Sequence, residues 1–276
     1  MDRQTILKRL QKKIDEGKAV VGTGAGTGLS AKCEEAGGSD LIIVYNSGWF
    51  RMQGLPSVCG NFPLGDANTI VKELGRVVLP RVKDTPVLAG VFANDPFRDM
   101  KTFLTELKTM GFSGVQNFPT VGTYTAVYRE NIESVGISYD KEVEMIHIAH
   151  ELNLLTTPYS YTIEEAEKMA KAAADIVVAH CRATVGGMVG VGKEGIMTLD
   201  DAVKKVQDIH DAVKAINPQA LVICHGGPIA TPEDAEYVLS RTHGVVGFYG
   251  ASSAERLPTE QAIREQVSRF GSLTLS

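Results

Sequence analysis

Cysteine is sparse in this chain and forms no pattern. The four residues Cys33, Cys59, Cys181 and Cys224 show no CxxC spacing. That excludes the common zinc signatures and gives no disulfide framework, so a reducing, cytoplasmic setting is expected. Long apolar runs are also missing. A stretch such as Leu41–Val44 falls far short of the ~18 residues needed to span a bilayer. The first residues, MDRQTILKRLQKKIDEG, carry charge throughout and lack the apolar segment of a signal peptide. Positive charge is not in excess: 28 Lys and Arg stand against 33 Asp and Glu, a net charge of -5. This argues against a broad nucleic-acid footprint. No linker or low-complexity tract interrupts the 276 residues, so one domain over residues 1–276 is expected.

Glycine is plentiful, with 28 residues, and several of them stand at the ends of short apolar runs. Eight such runs occur, marked by Val20, Leu41, Val87, Val115, Leu154, Ile176, Leu221 and Val245. Each is nearly continuous rather than alternating, as in parallel strands covered on both faces. Amphipathic stretches lie between them; Met100, Phe103, Leu104 and Leu107 share one helical face, as do Val206, Ile209, Val213 and Ile216. Thr162 with Glu165 reads as a capping box, Thr231-Pro232 as a helix start and Asn217-Pro218 as a stop. Eight strand-then-helix units predict a single (β/α)8 TIM barrel of the α/β class. Residues 1–17, with Ile6, Leu7, Leu10 and Ile14 at helical spacing, are expected to cap the bottom of the barrel. The long intervals after the second, fourth and sixth runs read as extra loop on the active face. The competing open sheet would need a dinucleotide fingerprint. Gly22 to Gly28 reads GxGxGxG, which misses that spacing, and no NAD is expected.

Candidate chemistry sits at the strand ends. The seventh run ends at His225-Gly226-Gly227, and the eighth at Gly250-Ala251-Ser252-Ser253-Ala254-Glu255. Small residues on these two loops suit an anion held by backbone N–H groups. His180 and His225 each follow an apolar run on neighbouring strands, and imidazole suits proton transfer near neutrality. Asn46, Ser47, Asp95 and Asn117 end other strands. Asp95 lies in Asn-Asp-Pro, which is equally a helix-start signal. Arg51, on the expected loop after the second run, could clamp a carboxylate or phosphate when that loop closes. The glycine-rich stretch from Thr184 to Lys193 reads as a mobile lid, with Lys193 at its end. Glu144, His147 and His150 have an ExxH spacing known from metal-binding bundles, but a solvent-facing helix explains it as well.

The ordered segments GTGAGTGLSAK, DLIIVYNSG, VLAGV with NDPF, GFSGVQNFPTVG, LLTTPY, DIVVAH, CHGGPI and GFYGASSAERLP resemble the phosphoenolpyruvate hydrolase-like TIM-barrel family, also labelled phosphonopyruvate hydrolase. They are similar as well to the C-terminal barrel of a plant tobamovirus-resistance protein. The resemblance implies a hydrolase or lyase that cleaves a C–P, P–O or C–C bond of a small phosphorylated or phosphono 2-keto acid through an enolate. In that reading His180, His225 and Asp95 do the chemistry. Asn46, Ser47, Arg51, Asn117, Gly226, Gly227, Gly250, Ala251, Ser252, Ser253 and Glu255 bind substrate. Mutase-type enzymes of this kind hold Mg2+ on paired acidic residues near the third strand. Here that strand ends in the single carboxylate of Asp95, so the metal stays open. Two alternatives remain: a retro-aldol lyase, and a barrel that senses a ligand without turning it over. A Schiff-base lyase would need a lysine inside the barrel, and none of the eight runs contains one. The expected partners are a small anionic metabolite and further copies of the chain, with no nucleic acid and no membrane.

Overall fold

The computed structural model describes residues 1–192, 194 and 197–275. In chain order the elements are α1 (Arg3–Asp15), β1 (Val20–Ala25), α2 (Gly28–Ala36), β2 (Leu41–Val44), α3 (Asn46–Met52), α4 (Ala67–Val78), β3 (Val87–Val91), α5 (Met100–Met110) and β4 (Gly114–Asn117). Then follow α6 (Ala126–Ser134), α7 (Tyr139–Glu151), β5 (Leu155–Thr156), β6 (Tyr159–Ser160), α8 (Ile163–Lys171), β7 (Ile176–His180), α9 (Leu199–Ile216), β8 (Leu221–His225), α10 (Pro232–Leu239), β9 (Gly247–Gly250) and α11 (Leu257–Gly271).

All strands are parallel, in the order β5-β4-β3-β2-β1-β9-β8-β7-β6. At the two ends of that order, β5 lies in the fifth apolar run and β6 directly follows it in the chain. Pro158 divides them because it has no N–H for the ladder. Thr157 N donates to Val115 O at 3.0 Å on one side, and Val178 N donates to Pro158 O at 2.9 Å on the other. The chain itself therefore closes the ring, and the fold is a TIM barrel. Leu154 and Val245 lie one and two residues before their strands rather than within them. The ladder nevertheless reaches back to Val246, whose carbonyl accepts from Val20 N at 2.9 Å.

Alternation sorts the side chains into two cores. Leu41, Ile43, Leu88, Leu155, Val178 and Ile223 fill the barrel, whereas Ile42, Val44, Ala89, Val177 and Val222 pack outward against the helices. Two large rings, Tyr45 and Tyr249, stand fully buried inside. Their space comes from strand glycines: a Cβ on Gly22 would strike Tyr249, and one on Gly24 or Gly90 would strike Tyr45. The glycine alternation of β1 thus serves packing. Ile6 and Leu10 of α1 join the inner core, as the amphipathic spacing predicts.

Two of the three long intervals hold helices rather than loop: α3 and α4 follow β2, and α6 and α7 follow β4. Arg51 accordingly sits in a helix, not on a flexible loop. Leu199–Ile216 and Pro232–Leu239 begin at reciprocal caps, Thr198 with Asp201 and Thr231 with Asp234. The expected box at Thr162 is half made. Its hydroxyl accepts from Glu165 N, but the Glu165 carboxylate accepts from Tyr161 N instead. Among the described residues no helix is long and apolar enough to cross a membrane.

Candidate active site

A cavity of about 820 Å³ opens at the C-terminal ends of the strands. His180 ends β7 and His225 ends β8, paired across the sheet, and their ring centroids are 4.5 Å apart. Tyr161 stacks on His180 at 4.3 Å and Tyr159 on His225 at 5.1 Å. The Tyr159 hydroxyl also meets that of Tyr45 at 2.8 Å. All five rings line the cavity.

Backbone contacts fix the two tautomers differently. His180 Nδ1 accepts from Arg182 N at 2.9 Å, so a neutral His180 carries its proton on Nε2. His225 Nδ1 lies 2.6 Å from Tyr249 O, a pure acceptor, so it donates and leaves Nε2 bare. Burial lowers the His225 pKa to about 4, and burial with the neighbouring His225 lowers that of His180 well below the ordinary value. Both rings are therefore neutral at pH 7, one a donor and one an acceptor at Nε2. Arg182 holds this arrangement with a left-handed backbone, φ 75°; such strain in a non-glycine residue is characteristic of functional turns.

Arg51 is the best-buried cation of the wall. Its Nε donates to Glu255 Oε2 at 2.7 Å and its Nη2 donates to Gly24 O at 2.7 Å and to the same carboxylate. Both side chains are fully buried. Glu255 is held further by Gly26 N at 2.6 Å and Ser30 Oγ at 2.5 Å. Among the described residues neither Arg51 Nη1 nor Arg256 Nε has an acceptor; both residues line the cavity. Ser252, hydrogen-bonded to Ser57 at 3.0 Å, lies on the same wall, in a π-helical turn over Ser252–Arg256. Such a turn often marks a functional site. The wall also carries Arg129, Arg182 and Lys205, against one acidic residue, Glu194, among those described.

Of the residues singled out from the sequence, His180, His225, Ser47, Arg51, Ala251 and Ser252 line the cavity, and Glu255 stands directly behind Arg51. Thr184, Gly190 and Gly192 of the glycine stretch line it too, whereas Asn46, Asp95, Asn117, Gly226, Gly227, Gly250 and Ser253 are not among its lining residues. Gly227 N donates to Arg182 O at 2.7 Å, so it is not free for an anion, and Cβ atoms on Gly226 and Gly227 would overlap the Arg182 and Cys181 carbonyls. The expected backbone anion site on this loop is corrected to a tight turn against the segment after β7. Asp95 is tied to Arg98, Asn68 Nδ2 and Phe97 N in a turn away from the cavity, and the cap of α5 is Asp99 rather than Asp95. Asn117 bonds both Tyr159 N and Tyr159 O and reaches Glu142. It fixes the tyrosine rather than a ligand. Asn46 binds Gly60 O, and Ser253 Oγ is buried beside Gly250 without a partner among the described residues. Lys193 lies outside the described residues. His147 is exposed and pairs with Glu151 at 3.5 Å.

Sequence reasoning passed over Tyr45, Tyr161, Arg182, Lys205 and Arg256. Tyr45 directly follows the second apolar run, and Lys205 is on a helix whose neighbour Val206 marks the buried face. Among the described residues no three His, Cys, Asp or Glu side chains gather to hold a metal. Mg2+ prefers carboxylate and water oxygens, yet Asp95 and Glu255 are both committed to arginines. These donors do not fit a protein-held Mg2+.

The sequence matches the family described as Phosphoenolpyruvate hydrolase-like over residues 5–273. It is 54% identical over 273 residues to the ToMV susceptible protein tm-1(GCR26) and to the ToMV resistance protein Tm-1(GCR237), both of Solanum lycopersicum. In each case 99% of this chain is covered, and it spans 36% of the relative's length. Among solved structures, a phosphonopyruvate hydrolase in complex with oxalate and Mg++ aligns with TM-score 0.60 at 15% identity, over 98% of this chain and 87% of that one. A 2,3-dimethylmalate lyase of the PEP mutase/isocitrate lyase superfamily aligns with TM-score 0.57 at 14% identity, over 98% and 90%. At such identities these structures speak to the fold. With its barrel closed and its cavity placed at the strand ends, the chain belongs to the phosphoenolpyruvate hydrolase-like family.

Proposed function

We propose that the cavity binds a small 2-keto acid bearing a second anionic group, phosphoryl, phosphono or carboxylate, and cleaves the bond next to the carbonyl through an enolate. The observation that carries this reading is the pair of neutral histidines with complementary tautomers, set in a wall rich in cations. Arg51 Nη1 offers a preorganised donor to an oxyanion. His180 Nε2–H stabilises the developing enolate oxygen, and His225 Nε2 takes a proton from the substrate or from water. Phosphonopyruvate, phosphoenolpyruvate and oxaloacetate, followed by 31P and 1H NMR, test it. His225→Asn is expected to lower kcat by about 10²–10⁴-fold with KM little changed. Turnover unaffected by that substitution would contradict the assignment.

A second reading has its own support. The 54% identical relatives are described as virus resistance or susceptible proteins, which suits a barrel that binds a metabolite without turnover. Saturable binding with unchanged ligand after hours would favour it. In either reading four free thiols suit a reducing compartment.

A homo-oligomer also belongs to this proposal. None of α11 is buried, and Ile263, Val267, Phe270 and Leu273 are each at least 60% exposed. Val21 and Phe248, register partners on the outer face of β1 and β9, are incompletely covered. One chain thus offers an apolar helix and an uncovered strand pair. Two copies satisfy both by exchanging the helix.

A further inference from the structure

Lys205 projects from the second turn of α9 to the cavity wall, where Tyr161, His180, Cys181 and Arg182 also lie. Its neighbour Lys204 is exposed and paired with Asp208 at 2.6 Å. Lys205 is turned inward and has no carboxylate or other acceptor among the described residues. Of the acidic groups acting on it, the Cys181 thiol and the Glu165 carboxylate, the carboxylate is engaged by Arg129 at 2.5 Å and by Tyr161 N at 2.6 Å. Burial first, and Arg182 in addition, lower its pKa. Desolvation beside another cation is the setting in which a lysine becomes a nucleophile.

We propose that Lys205 Nζ forms an imine with the keto carbon of a 2-keto acid bound in the cavity. The proposal rests on the cavity reading above and assigns it a covalent step. The amine lone pair forms the C–N bond, and the carbonyl π pair moves to oxygen, which accepts a hydrogen bond from His180 Nε2–H. The nitrogen loses a proton to His225 Nε2, which passes it to that oxygen and then relays the second nitrogen proton in the same way. The hydroxyl then leaves as water after reprotonation, giving the imine. Amine and ketone become imine and water, with no change of oxidation state. The protonated imine withdraws electrons from the adjacent bond and supports its cleavage. A lysine from a helix thereby supplies what no strand provides.

Sodium borohydride added to the protein with pyruvate reduces any imine to a stable secondary amine. Peptide mass spectrometry is expected to place the reduced pyruvate on Lys205 and to find none at that position in Lys205→Arg. Calorimetry of the parent protein with oxalate, which cannot form an imine, reports the cavity separately. Oxalate binding with no label on Lys205 overturns the imine and leaves the cavity reading standing. Neither binding nor label overturns both, and equal labelling of other lysines in Lys205→Arg overturns the assignment to this residue.

Discussion

Arg51 and Glu255 show how a residue can be legible in type and not in setting. Both were expected to bind substrate, yet they form a fully buried pair, with Arg51 in α3 rather than on a moving loop. The reason is spatial: Gly24 O, Gly26 N and Ser30 lie over two hundred positions from Glu255 in the chain. No spacing rule connects them. Removing one partner strands the other's charge, so Glu255→Ala is expected to destabilise by about 3–5 kcal/mol in urea unfolding. A loss under about 1 kcal/mol would contradict the buried pair. The histidines give a pH signature. His225, with its pKa lowered to about 4 in the folded chain, binds fewer protons than in the unfolded chain below its ordinary 6.5. Its stabilising contribution is thus present above 6.5 and is lost as pH falls toward 4. The loss is on the order of 3 kcal/mol. Glu142, pushed up to about 8 by burial, acts in the opposite sense as pH rises from 4.5. The difference in unfolding free energy between the parent and His225→Asn isolates the histidine; that difference should shrink between pH 6.5 and 4, and a constant difference would contradict a neutral buried ring.

The elements were the most legible level. Continuous apolar runs mark parallel strands covered on both faces, and local caps such as Thr231 mark helix starts. What escaped was local geometry decided by distant contacts. The strand at the fifth run breaks at Pro158 and resumes as β6, α3 follows β2 at once, and the turn after β8 presses on Arg182. The glycine stretch after β7 was read as a mobile lid. In the structure Gly186 O accepts from Arg256 at 2.9 Å, Met188 N donates to Glu260 at 2.8 Å, and Val185 N donates to Gly227 O at 3.2 Å. Glu260→Ala is expected to speed hydrogen exchange at Met188 relative to the parent; equal rates would show that this anchor does not hold the loop. Gly227 has φ 59° and no room for a Cβ. Gly227→Ala is therefore expected to cost about 1–3 kcal/mol in stability, whether or not ligand is present. A neutral effect in urea unfolding would contradict the tight turn.

At the scale of the whole molecule, strand count and helix alternation made the barrel readable, while the surface left open by α11 was not. The apolar residues of that helix carry the same pattern as any packed helix, and the sequence does not state on which barrel they pack. Exchange between two copies is expected to give a dimer by light scattering. Val267→Glu with Phe270→Glu is expected to give a monomer with unchanged circular dichroism. A parent that is monomeric at all concentrations would contradict the exchange.

The central claim is that two neutral histidines of opposite tautomer face an anion-binding cavity. Long-range 15N–1H NMR of the imidazoles, with an oxalate titration at pH 7, tests it most directly. In the free protein His180 is expected to be protonated on Nε2 and His225 on Nδ1. Both ring systems should shift saturably with oxalate, while His147 and His243 on the surface stay put. Charged rings in the free protein, or no response to millimolar oxalate, would contradict it.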